Sequence, residues 1–113
     1  MNVPREKAEF YASRFRCLAH PTRLLILHVL AAEARPLSVG EIVDRVDVGQ
    51  PTVSAHLRQL AETGFVVVEH QGTSSLNWLN TCYIEKFPAA AEFVMGRGAG
   101  DRMPTSIKDP RGD

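Results

Sequence analysis

Residues 50–60, QPTVSAHLRQL, place the strongest constraint on what this chain can fold into. Apolar side chains recur there every three or four residues, which puts them on one stripe of a helix that faces a core. This stripe consists of Val53, Leu57, Leu60 and Ala61. Pro51 suits the first turn of such a helix, and Gly64 can adopt the left-handed conformation that ends one. The segment therefore predicts an amphipathic helix of about three turns.

The outward face of this helix carries Gln50, Thr52, Ser54 and Arg58, and residues 48–61 contain no acid. A solvated helix face normally carries charged residues of both signs. Amides, hydroxyls and arginine are instead the side chains that hydrogen-bond base edges in the major groove of DNA. The composition of this face favours a DNA-reading helix over an ordinary solvated one.

Elements on both sides of this helix complete a winged helix-turn-helix. Upstream, Ser38 and Glu41 have the spacing of a capping box at the start of a short helix. Downstream, residues 65–69 and 75–79 are predicted strands around a polar turn at residues 71–74. The sequence thus predicts a mainly α-helical fold of about five helices with a small β-hairpin as the wing.

The first and last helices are each expected to carry two apolar stripes. The main stripe of the first helix comprises Ala8, Tyr11, Ala12, Phe15, Leu18 and Ala19. The last helix is capped by Asn80. A helix with two apolar stripes needs two surfaces to bury them, so we predict a homodimer formed by the terminal helices. Its expected interface residues are Phe10, Ser13, Cys17, Cys82 and Phe93. The alternative is that these are singly exposed side chains, which are common.

Between these elements, residues 22–34 are apolar almost all round, which predicts a central buried helix with His20 at its start.

Two longer segments, RCLAHPTRLLILHVL and LSVGEIVDRVDVGQPTVSAHLRQLAETGFV, followed by the hairpin, resemble the ArsR/SmtB (arsenic-repressor) family of small bacterial transcriptional repressors. The resemblance covers residues 5–96. It implies a winged-helix homodimer that binds an operator and is usually released by a metal or metalloid ion. The family's base-reading positions correspond to Gln50, Thr52, Ser54 and His56. Ala55 stands where many members have histidine, so one contact is expected to be missing.

The charge distribution fits a modest DNA binder. The chain has 13 basic and 13 acidic residues, so it lacks the basic excess of a strong non-specific binder. Phosphate contacts are local, however, and residues 70–84 contain no acid. The hairpin tip HQGTSS lacks the Arg or Lys that many family members carry. We expect salt-dependent operator binding with little help from the wing, and the DNA surface to be completed by Arg45, His70, Gln71 and Thr73.

The inducing ligand is the least constrained property. Residues 38–49 contain no cysteine and residues 81–97 no histidine, so both common metal sites of the family are absent. The remaining candidate ligands are Cys17, His20 and Cys82. These donors suit nickel or zinc, and an arsenical less well because arsenite prefers three thiolates. A thiol-redox switch between the two cysteines, or plain packing of both, stays open.

Other functional classes have less support. There is no nucleophile elbow and no phosphate-binding glycine loop, so the sequence does not predict an enzyme. A winged-helix protein-interaction module is the remaining alternative. The chain has no membrane-length apolar run and no signal-peptide core, which predicts a cytoplasmic protein. Residues 1–96 are expected to form one DNA-binding and dimerisation domain, and residues 97–113 a disordered tail.

Overall fold

The structure, a computed structural model, describes residues 4–85. These residues form, in chain order, α1 (Arg5–Leu18), α2 (Pro21–Glu33), β1 (Leu37–Ser38), α3 (Val39–Val43), α4 (Gln50–Glu62), β2 (Val66–Gln71), β3 (Ser74–Leu79) and α5 (Thr81–Glu85). The predicted winged helix-turn-helix is confirmed. Phe93, the later part of the predicted last helix and the expected tail lie outside the described residues. Over residues 4–85, every helix is too short or too polar to cross a bilayer.

The core lies between α2, α3, α4 and the sheet. The predicted stripe of α4 is confirmed at three positions, since Val53, Leu57 and Leu60 are buried, whereas Ala61 is half-buried. They pack with Ile26 and Leu30 of α2, Ile42 of α3, and Leu37, Phe65 and Val66 from the strands and their approaches. This packing holds one face of α4 against the core and leaves its opposite face in solvent.

Local sequence signals set the ends of the two central helices. At the start of α3, the Ser38 hydroxyl accepts a hydrogen bond from the Glu41 N–H at 3.1 Å, and the Glu41 carboxylate accepts one from the Ser38 N–H at 2.9 Å. This is the predicted capping box. Pro51 occupies the first turn of α4, and Gly64 after its end has φ of 98°. Both predictions for α4 are confirmed.

The wing is longer than predicted and is part of a three-stranded sheet. Strands β2 and β3 pair from Val66↔Leu79 to Gln71↔Ser74, which leaves a two-residue turn at Gly72, whose φ is 63°. The sheet order is β1-β3-β2, and β1 was not expected from the sequence. The buried Asn77 of β3 donates its side-chain amide to the Leu37 carbonyl at 3.1 Å. The wing is therefore anchored to the segment that enters α3.

Among the described residues, the central helix is less buried than its apolar sequence predicts. Only Ile26 and Leu30 of α2 are buried, while Leu24 and Leu25 are 51% and 53% exposed. Within residues 4–85, the neighbouring elements pack against the side of α2 that carries Ile26 and Leu30. The histidine expected at its start is confirmed, because His20 is the N-cap and its Nδ1 accepts from the Thr22 N–H at 3.2 Å.

The buried side of α1 also differs from the predicted stripe. Cys17, expected on the outer stripe, is the one buried residue of this helix, whereas Ala8 and Ala19 are exposed. The reason is that the last turn of α1 abuts the end of α4. The Cys17 sulfur lies 3.2 Å from the Thr63 hydroxyl and 3.9 Å from the Gln59 carbonyl oxygen.

Candidate DNA-binding surface

The N-terminus of α4 is open to solvent. Its N-cap is Gly49, which provides no side-chain acceptor. The first N–H groups of a helix have no acceptor within the helix, so the amides of Gln50 and Thr52 are available to an external partner. The helix dipole adds partial positive charge at this end, which favours an anion such as phosphate.

The outward side chains of α4 are equally available. Gln50, Thr52 and Arg58 are exposed and Ser54 is half-buried. Within residues 4–85, none of these four side chains makes a hydrogen bond or an ion pair. Each can therefore bond to a ligand without first breaking a contact inside the protein.

A cleft of about 380 Å³ separates the start of α4 from the wing. Gln50 and Ser54 line one wall, and His70 and Thr73 of the hairpin line the other. Gln71 is exposed where β2 reaches the turn. The fold thus brings together the two segments that the sequence predicted as one DNA-facing surface.

A second cleft, of about 340 Å³, continues along α4 beside β2 and β3 and includes Arg58 and His70. Its acid, Glu62, lies at the far end of α4, beyond the acid-free residues 48–61. The open helix end, the neutral donors and the arginine all suit a polyanion that lies along α4 and against the wing.

Arg45 occupies a different environment from the one predicted. Its Nε pairs with a Glu33 carboxylate oxygen at 3.0 Å, and its Nη1 donates to the Glu41 carbonyl at 2.8 Å. These contacts tie the loop after α3 to the end of α2. The phosphate contact predicted for Arg45 would therefore require this ion pair to open.

His56, predicted from the sequence to contact DNA, makes contacts with other residues of the protein. Its Nδ1 accepts a hydrogen bond from the Arg23 Nε at 3.0 Å, and its ring lies 4.4 Å from that of His20 between centroids. Burial, followed by the charges of His20 and Arg23, lowers the pKa of His56, which favours the neutral form of the ring. The imidazole packs on α2 instead of pointing outward beside Ser54.

The three candidate metal ligands do not fit a metal centre in the described structure. Cys17 is buried in contact with Thr63, His20 uses Nδ1 to cap α2, and Cys82 is exposed on α5. Across residues 4–85, no three residues among His, Cys, Asp and Glu are arranged to hold an ion.

Part of the predicted dimer surface is exposed along α1. Phe10 is 46% exposed, and the Arg14 guanidinium lies 3.8 Å from its ring centroid. Ser13 is half-buried and donates its hydroxyl to the Phe10 carbonyl at 2.7 Å. The Arg14 Nε also donates to the Tyr83 hydroxyl at 2.8 Å, which places α1 beside α5. The two terminal helices therefore meet on one side of the protein.

Comparison with known proteins agrees with this architecture. A helix-turn-helix domain model matches residues 18–69. An uncharacterized HTH-type transcriptional regulator of Methanocaldococcus jannaschii is 41% identical over 68 residues, which are 60% of this chain and 75% of that protein. The HTH-type transcriptional repressor SmtB of Mycobacterium tuberculosis is 38% identical over 73 residues, 65% of this chain and 53% of that protein.

A probable mercury resistance operon repressor of Streptomyces lividans is 36% identical over 70 residues, 62% of this chain and 54% of that protein. This chain therefore spans about half the length of the SmtB and mercury-resistance relatives.

Solved structures share the same fold. The crystal structure of Rv0081 from Mycobacterium tuberculosis is similar with a TM-score of 0.59 and 32% identity, covering 89% of this chain and 98% of that chain. The crystal structure of NolR from Sinorhizobium fredii is similar with a TM-score of 0.65 and 25% identity, covering 85% of this chain and 98% of that one.

Proposed function

The chain belongs to the ArsR/SmtB family of winged helix-turn-helix transcriptional regulators, and we propose that it is a homodimeric repressor that reads a palindromic operator. Like its named relatives, which are transcriptional regulators, it is a DNA-binding regulator and not an enzyme. The observation that carries the proposal is the outward face of α4, where the side chains of Gln50, Thr52, Ser54 and Arg58 make no hydrogen bond or ion pair within residues 4–85.

In the proposed complex, α4 enters the major groove with its N-terminus first. Gln50 and Thr52 read base edges, and Ser54 does so from the wall of the cleft. Arg58 neutralises a phosphate further along the helix. His70, Gln71 and Thr73 contact the adjacent backbone as neutral donors, so the wing adds little salt-dependent affinity.

Dimerisation is supported by the exposed Phe10 on α1 and by the Arg14–Tyr83 contact that sets α1 beside α5. A single winged helix reads half of a palindrome, whereas a two-fold dimer places two recognition helices on one face of the DNA. The two half-sites should then be centred about one helical turn apart, 10 to 10.5 base pairs.

Selection from a random double-stranded DNA library tests the proposal, because it requires no assumption about the operator sequence. We expect an enriched palindrome, a 2:1 protein-to-duplex complex, and affinity that falls as salt rises. Ser54→Glu places a carboxylate in the cleft and should weaken binding at least 30-fold, about 2 kcal/mol. The matched variant Ala32→Glu, on the exposed side of α2, should bind like the parent protein.

A library that yields no enriched sequence would contradict the repressor proposal and favour a protein-interaction module. An enriched sequence bound by a monomer would contradict the dimer alone. Replacement of Gln50 by alanine should weaken operator binding by about 1–3 kcal/mol, which is about 5- to 150-fold. It should also relax the base preference at one base pair. Gln59→Ala, the same change at an exposed position about two and a half turns along the helix, should not.

Release by an effector is a separate proposal. The mercury-resistance relative makes soft metal ions the first class to screen, followed by nickel, zinc, arsenite and thiol oxidants. Any such response is expected to require Cys82, which is exposed, more than Cys17, which is buried. Loss of the response in Cys82→Ser, with retention in Cys17→Ser, would support this order. The reverse result would contradict it.

A further inference from the structure

One side chain, Arg23 in the first turn of α2, joins three helices. Its Nη1 donates to the Cys17 carbonyl oxygen of α1 at 3.1 Å, and its Nε donates to the His56 Nδ1 of α4 at 3.0 Å. The guanidinium therefore spans from the end of α1 to the middle of the recognition helix. We call this set of contacts the Arg23 clamp.

Each contact of the clamp has a clear physical origin. The Cys17 carbonyl belongs to the last turn of α1, where carbonyl groups have no N–H donor within the helix. The positive charge of Arg23 is also stabilised there by the negative end of the helix dipole. On the other side, the lone pair of Nδ1 can accept from Arg23 only if His56 is neutral with its proton on Nε2.

Other groups around the clamp restrict its geometry further. The His20 ring packs 4.4 Å from the His56 ring, and the Cys17 sulfur lies 3.6 Å from the Arg23 Nη1. Cys17 also reaches the end of α4 through its 3.2 Å contact with Thr63. The side of α4 that faces away from the wing is thus held at two positions, His56 in the middle of the helix and Thr63 at its end. Gln50 and Ser54, in contrast, face the open cleft.

We propose that Arg23 is a positioning residue for DNA recognition, and that His56 contributes to operator affinity through Arg23 without touching DNA. The clamp sets the rotation of α4 about its own axis, which decides whether Gln50, Thr52 and Ser54 face the groove. This inference rests on the proposed DNA binding. It differs from a base-reading role for His56, which would need the ring to leave Arg23 and His20.

A double-mutant cycle tests the coupling. Operator affinity is measured for Arg23→Met, His56→Leu and the double variant against the enriched duplex. Each single change should weaken binding about tenfold, and the double variant should be little worse than either single one, because both remove the same contact. Arg16→Met, the same substitution at an exposed arginine of α1, should stay within about twofold of the parent.

Rescue separates positioning from general damage to the fold. His56→Asn retains an oxygen where Nδ1 lies, so it should recover most of the affinity that His56→Leu loses, with unchanged base preference. In the free protein, the ¹⁵N shifts of His56 should report the Nε2–H tautomer with a hydrogen-bonded Nδ1, and Arg23→Met should shift the Nδ1 resonance because it removes that donor. Thermal unfolding of each variant identifies any loss of affinity that follows from unfolding.

The outcomes are distinguishable. A parent protein without operator binding would contradict the proposed function, and the inference with it. Binding by the parent with additive losses in the cycle would overturn the inference alone. So would a change of base preference in His56→Leu that Arg23→Met does not share, because this would make His56 a base reader.

Discussion

The two helices of the helix-turn-helix are fixed in different ways. Helix α3 has only five residues and is stabilised by neighbours in sequence. Its start is closed by the capping box of Ser38 and Glu41, and Arg35 binds the Glu41 carboxylate at 3.0 Å. Its far end is tied to α2 through the Arg45–Glu33 pair.

Helix α4 begins at Gln50 after the N-cap Gly49, so it has no side-chain cap. It is held by contacts from distant parts of the chain: the buried stripe of Val53, Leu57 and Leu60, and the Arg23 clamp. Because other elements fix α4, the polar groups on its outer face and at its N-terminus take no part in holding it. Helix α4 is thus held in place by its buried stripe and by Arg23, while the hydrogen-bonding groups of its outer face stay free for a partner.

The largest test of this contrast is Leu60→Ala. Leu60 is fully buried, so its truncation should lower the free energy of unfolding by about 2–5 kcal/mol. Arg58→Ala, two residues earlier on the exposed face, should change it by less than about 0.5 kcal/mol. Urea unfolding measures both. Similar values for the two variants would break the contrast, since α4 would then not depend on its buried stripe.

Ser38→Ala should have an intermediate effect. It removes the acceptor for the Glu41 N–H, and loss of such a cap typically costs about 1 kcal/mol. Operator affinity should change little at protein concentrations where the variant is folded. As a control, Thr73→Ala at the exposed hairpin turn should leave the unfolding midpoint in urea unchanged.

A cap added to α4 should have a small and opposite effect. Gly49→Asp supplies a side-chain acceptor and a negative charge at the N-terminus, so stability should rise by a few tenths of a kcal/mol. Operator affinity should fall, because the carboxylate occupies the amides that would bind phosphate. Gly49→Ala tests the backbone change alone. A variant that is more stable and binds DNA equally well would contradict the role assigned to this helix end.

The smallest effect is the pH dependence of the α3 cap. The hydrogen bond from Arg35, followed by that from the Ser38 N–H, lowers the pKa of Glu41 from 4.5 to about 2. The folded state therefore favours the carboxylate, and this stabilisation is fully present above pH 4.5 and lost as pH falls toward 2. Glu41→Gln should flatten the stability curve in that window. Because the pair is partly exposed, added salt should reduce the difference.

Local chemistry accounts for the parts of the fold that the sequence predicts well. The capping box of Ser38 and Glu41, Pro51 in the first turn and Gly64 after α4 each depend on residues within a few positions of one another. The stripe of α4 has a period that only a helix satisfies. These signals survive in the structure because local preference and tertiary packing agree there.

Contacts between distant residues account for what the sequence misses. Arg23 and His56 are 33 positions apart, and no periodicity relates them. Strand β1 has two residues, too few to show an alternating pattern. The apolar Leu24 and Leu25 look buried by composition, but hydrophobicity cannot reveal which side of a helix meets a neighbour. The same limit misplaced Cys17, whose environment depends on where α4 ends.

The backbone at Gly64 also determines how closely α5 can approach the end of α4. A Cβ at this residue would lie 3.3 Å from the Tyr83 ring, and the Gly64 carbonyl accepts from the Asn80 side-chain amide at 3.0 Å. The end of the recognition helix thus touches the start of the last helix with no side chain of residue 64 between them. An alanine at residue 64 would therefore have to displace the Tyr83 ring by a few tenths of an ångström and would also hold a strained φ near 98°.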